Sequence, residues 1–154
     1  AEARVVEFID AATLLDEEAR IEMANSLVGL GPGLTPAGDD FLAGYVAGLD
    51  CLGTSWSTRE RLALAATLDL WATSWLSGQK LSLVLAGELD EWLANATTAV
   101  LSGDPRAYVA IQKLRAIGHT SGWFTIAGIF TAARLALTYL CEQTKDPLFT
   151  NLSV

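Results

Sequence analysis

The sequence predicts an all-α domain, a single-core bundle of about seven helices. Apolar residues recur at intervals of three and four in nearly every segment, the period of a helix with one buried face. Helix start and stop signals, such as Thr35-Pro36, Asp104-Pro105 and Gly118, fall at helix-length intervals. After residue 10 no segment alternates apolar and polar residues as a half-buried strand would. With 154 residues, half of them apolar, the chain is long enough to bury one real core and too apolar to be disordered.

The first fifteen residues carry RVVEFI, which reads as a short strand or as the tail of a preceding element. Helical spacing then runs from Asp16 to Val28 through Ile21, Met23, Ala24 and Leu27, and Gly29 stops it. The next helix opens at Thr35-Pro36, an N-cap followed by proline, and ends near Leu52-Gly53. Ser57 and Glu60 form a capping-box pattern that predicts a helix to about Leu76, with Trp71 and Trp75 one turn apart, packed in the core or walling a pocket. Ser77-Gly78 reads as a break before a short apolar helix, LSLVLAG. Helices follow over Glu88 to Leu101, from Pro105 to Gly118, and after Gly122 to about Gln143, with Pro147 closing the last. This divides the chain into an N-terminal segment 1–15, a helical domain 16–145 and a tail 146–154. The abrupt start suggests that residues 1–15 end a preceding domain.

The least ordinary stretch is GLGPGLTPAGDDFLAG, Gly29 to Gly44. Glycines admit backbone conformations that other residues avoid, and the prolines fix φ, so the loop is given one path. It feeds a helix start, where backbone N–H groups lack intrahelical partners and favour anions. Gly31, Gly33, Thr35 and Gly38 are the candidate ligand-binding residues. Asp39 and Asp40, in the first turn, are candidates for a base or for a divalent ion, with Mg2+ as the candidate cofactor; they equally suit the helix dipole.

A second loop echoes the first. TPAGDDFLAG from Thr35 lines up with HTSGWFTIAG from His119, so that Gly38 pairs with Gly122 and Ala43-Gly44 with Ala127-Gly128. The small residues Gly44 and Gly48, and Gly128 and Ala132, each lie one turn apart and would let two helices approach closely. Two pseudo-repeated glycine-loop and helix units at the centre of the bundle are the expectation. Thr120, Ser121 and Gly122 then join the ligand-binding set, and His119, the only histidine, joins the catalytic candidates. The cation such a site needs is sought among Lys80, Arg115 and Arg134. A duplicated core without any ligand is the competing reading.

A net charge of −8 argues against nucleic acid and against anionic membrane surfaces as partners. Cys51 and Cys141 have no metal-like spacing and make no disulfide framework, which suits a reduced, cytoplasmic protein. Gly122 to Cys141 is long enough to span a bilayer, but Arg134 and three threonines favour a core helix. The apolar excess points to self-association or to other subunits.

GLGPGLTPAGDDFLAG and AIGHTSG, joined by a helical middle that carries TSWLS and LAGELDEWL, resemble the AllH-like proteins over about Asp16 to Leu140. The resemblance implies the C-terminal helical portion of a subunit of an oxamate carbamoyltransferase complex. That reaction exchanges a carbamoyl group between oxalurate and phosphate, giving oxamate and carbamoyl phosphate. It makes a small phosphate- or carboxylate-bearing substrate and other complex subunits the implied partners. The chain departs from its relatives in carrying Trp123-Phe124 where an acidic residue is common. A non-catalytic helical scaffold is the alternative function.

Overall fold

A computed structural model describes residues 1–14, 16–116 and 120–144, the last three by backbone alone. Among these are eight α-helices and no strand: α1 (Glu2–Ala11), α2 (Glu17–Asn25), α3 (Ala37–Leu52), α4 (Ser55–Thr67), α5 (Trp75–Leu85), α6 (Glu91–Leu101), α7 (Ala107–Arg115) and α8 (Ser121–Thr144). A single 3-10 turn, Leu70–Ala72, precedes α5.

The axis of the fold is α3, buried without interruption from Gly38 to Leu49. Such a helix must be apolar on every side, and FLAGYVAGL supplies that. Its main neighbour is α8. The two backbones meet because the contact residues have almost no side chain. A Cβ at Gly44 would overlap the carbonyl of Thr125, and one at Gly128 would overlap the Phe41 carbonyl. A Cβ at Gly48 would stand 2.6 Å from the methyl of Ala132. The small residues predicted to pair these helices therefore lie at their contact. Around this pair, α4, α5 and α6 pack on α3, while α7 bridges α6 and α8. By length and composition α8 is also the one described helix able to cross a membrane (mean hydropathy 1.5), yet Ile126, Ile129, Ala132 and Leu135 are buried in the protein core.

Residues 1–14 hold a helix rather than a strand, and Val5, Phe8 and Ala12 enter the same core. Phe8 sets its edge against Phe41 and Tyr45, with ring centroids 5.4 and 5.5 Å apart. Beneath them lies a buried ion pair: Arg20 of α2 donates from Nη2 to Glu60 of α4 at 2.7 Å, and the Tyr45 hydroxyl donates to the same carboxylate. Burial, and then the negative Glu60, pushes the Tyr45 phenol well above its ordinary pKa.

The middle of the chain departs from the sequence expectation. The helix predicted to reach Leu76 stops at Thr67, because Leu68 turns extended. Its capping box is Thr54 with Ser57, not Ser57 with Glu60, which leaves Glu60 free for the ion pair. Ser77-Gly78 does not break a helix; it lies inside α5, capped by Ser74. The break between α4 and α5 carries Trp71 outward and puts Trp75 at the start of α5, so both indoles are exposed rather than core. Two later starts also shift: Asp90 caps α6, and α7 begins at Ala107, two residues beyond Pro105.

Candidate functional site

The loop 29–36 takes the path its glycines permit, with φ of 70°, 125° and 98° at Gly29, Gly31 and Gly33. Each value lies where a side chain would strain the backbone. Gly33 has open space around its Cβ position, so conformation alone calls for glycine there. At Gly29 an added Cβ would also strike the Ala72 carbonyl. Thr35 is not the helix cap: Pro36 occupies that position, and no side chain bonds the first turn of α3 from it.

Asp39 organises the loop. Its Oδ1 accepts the N–H of Gly29 at 2.8 Å, and its Oδ2 accepts the Ser77 hydroxyl at 2.6 Å and the Thr73 hydroxyl. One buried carboxylate thus ties the loop, α3 and the start of α5. Ser74 closes the same junction, donating to the Leu34 carbonyl at 2.5 Å while accepting from Ser77 N. With three donors on two oxygens, Asp39 is a clamp.

Asp40, 1% exposed, is held differently. Its Oδ1 receives Lys80 Nζ of α5 at 2.8 Å, while Oδ2 is buried with no hydrogen-bond partner in the structure. A buried acceptor left unmade costs about 1–3 kcal/mol, so this oxygen calls for a donor from water or a ligand. One available carboxylate oxygen does not fit a resident Mg2+, and no group of three or more His, Cys, Asp or Glu gathers among the described residues.

The two loops meet where Thr35 Oγ1 and Ser121 Oγ lie 3.3 Å apart. Thr120 is exposed beside them. Gly38 and Gly122 are spent on packing. Gly38 gives its N–H to the Leu30 carbonyl at 3.0 Å, and a Cβ on it would overlap Leu27; a Cβ on Gly122 would overlap the Leu114 carbonyl. His119 and Gly118 lie outside the described residues. Of the three candidate cations only Lys80 reaches the aspartates. Arg115 covers the Trp123 ring at 4.7 Å, and Arg134 donates to the Ile9 carbonyl. Clefts of about 490 Å3 between α6 and α7 and about 430 Å3 beside Arg20 and Trp56 include none of the loop residues.

Sequence reading missed Thr73 and Ser77 as the partners of Asp39. The usable signal was Ser74 and Ser77 as a cap and its third residue, with Lys80 one turn on along the same face.

These features define a helical domain with a glycine loop locked on a buried aspartate and a lysine-paired carboxylate next to it. A family model described as oxamate carbamoyltransferase subunit AllH matches residues 27–133, which take in the loop, its clamp, Lys80 and the glycine contacts of α8. The chain belongs to this family. No curated protein and no solved structure matches it.

Proposed function

We propose that the chain is the anion- and amide-positioning subunit of a carbamoyl-transfer complex acting on oxalurate and phosphate. The observation that carries this reading is Asp40: a buried carboxylate with one oxygen on Lys80 and one without a partner. An amide or ureido NH2 supplies the donor Oδ2 lacks, while Lys80, one-third exposed, offers charge to a carboxylate or phosphate. The N–H groups of Gly31 and Gly33, with Thr35, Thr120 and Ser121, would line the anion side, and His119 would complete it. In the transfer, a phosphate oxygen bonds to the carbamoyl carbon, the bond from that carbon to the oxamate nitrogen breaks, and this nitrogen takes up a proton. Fixed dipoles and charges around that geometry do most of the work such a reaction needs. The two loops, whose matching glycines Gly38 and Gly122 are 84 residues apart, would be two related units closing on one site.

A scaffold role has its own support, because Gly38, Gly44, Gly122 and Gly128 are all explained by close packing. Asp40→Asn in the assembled complex separates the two readings. Positioning by Asp40 requires turnover to fall by about 100-fold or more with the complex intact. Unchanged turnover leaves the scaffold.

A further inference from the structure

The segment that locks the loop from inside is strongly apolar outside. Trp71 is 95% exposed, Trp75 78% and Leu34 69%, and Leu76 is half exposed. All four lie on the two stretches that Ser74, Thr73 and Asp39 stitch together. Two nearly bare indoles alone present about 400 Å2 of apolar surface, comparable to the whole largest patch of an ordinary monomer. They are held on an ordered frame: Asp69 bonds Trp71 N at 3.1 Å, and Trp75 is the first residue of a capped helix. Tryptophan is among the residue types that most often anchor protein interfaces.

We infer that this surface is the docking face for a second, non-identical subunit whose contact region is basic around an apolar pocket. The inference rests on the reading of the chain as a carbamoyl-transfer subunit, and the identity of the occupant follows from charge. The chain carries −8 overall, and among the described residues the site joined to this segment sets Asp39 and Asp40 against Lys80. A second copy would bring the same negative excess to a site that is to hold an anion. A basic partner neutralises both and delivers a cation beside the loop. The coupling is direct, because the first turns of α5 carry Trp75 and Leu76 outward and Ser77 and Lys80 onto the two aspartates.

The test co-produces the full chain with the other subunits of the complex and measures association by sedimentation and turnover. Trp71→Ala/Trp75→Ala should weaken association by about tenfold or more with helical content unchanged. Trp71→Arg, a second variant on the exposed face, should weaken it more than Trp71→Glu. Wild-type association of the double variant overturns the docking face, and a Glu variant weaker than the Arg variant overturns the basic partner. An isolated-chain dimer that the double variant dissolves assigns the face to self-association and also overturns the inference. Asp40→Asn run alongside distinguishes the two ideas: full turnover there with tryptophan-dependent assembly removes the site reading and leaves the interface.

Discussion

Gly44 of α3 faces the carbonyl of Thr125 in α8 so closely that a single added methyl group would overlap it. In an open helix, replacing glycine by alanine stabilises by roughly 1 kcal/mol through propensity. Here the neighbour is backbone, which cannot swing aside as a side chain would. Gly44→Ala should therefore destabilise by about 1–3 kcal/mol, read as a lower urea midpoint with unchanged slope, and Gly44→Leu by more. A neutral or stabilising Gly44→Ala would mean that α3 and α8 separate more readily than their contact suggests.

The Arg20–Glu60 pair predicts an asymmetry. Both side chains are buried, and Glu60 also takes the Tyr45 hydroxyl. Glu60→Ala removes the buried carboxylate that accepts from Arg20 Nε and Nη2 and should cost about 3–5 kcal/mol. Replacing both partners with apolar residues of similar volume should recover much of that loss. Denaturant curves for the single and double variants measure the difference directly.

The same cluster predicts alkaline sensitivity. The Tyr45 phenol is raised above its ordinary value of 10 in the folded chain. An unfolded tyrosine loses its proton near pH 10 while the folded one keeps it. The stabilisation is thus fully present below about pH 10 and declines as pH rises toward the folded value. Tyr45→Phe should lower stability at neutral pH, where the hydroxyl's bond to Glu60 is lost, and should flatten the decline above pH 10. Thermal melts at stepped alkaline pH test this against wild type.

The helix-and-loop plan was legible because its signals are local or periodic. Thr35-Pro36 marks a helix start to within two residues, and Gly44, Gly48, Gly128 and Ala132 announce a close helix pair by spacing alone. The stretch from Leu68 to Gly78 was not legible. Trp71 and Trp75 have helical spacing, yet Leu68 is extended and Ser74 caps a new helix between them. Gly78 looks like a breaker, but it is glycine because the Leu70 carbonyl would stand 2.9 Å from its Cβ. The importance of Asp39 and Asp40 was visible from their place in the loop. Of their partners, Lys80 stood only as one of three candidate cations and Thr73 and Ser77 went unseen, since all three come from 34 to 40 residues away and only tertiary packing selects them.

The pair of Asp40 with Lys80 separates stability from function. Lys80→Met leaves a buried carboxylate with neither oxygen paired. Removing one partner from a fully buried pair costs about 3–5 kcal/mol. Lys80 is one-third exposed, so water already screens part of that attraction and the expected loss is smaller, about 2 kcal/mol. Asp40→Asn is milder, because the stranded ammonium can turn toward solvent while a carboxylate at 1% exposure cannot. Adding Asp40→Asn to Lys80→Met should then restore stability toward wild type, since no unpaired charge is left inside. On the proposed function, binding of phosphate and oxamate to the assembled complex should not be restored with it, because both groups proposed to meet the substrate are gone. Urea curves and titration calorimetry on the same three variants read the two quantities separately. If the double variant regains binding along with stability, Asp40 and Lys80 serve the fold, and the substrate contacts lie elsewhere around the loops.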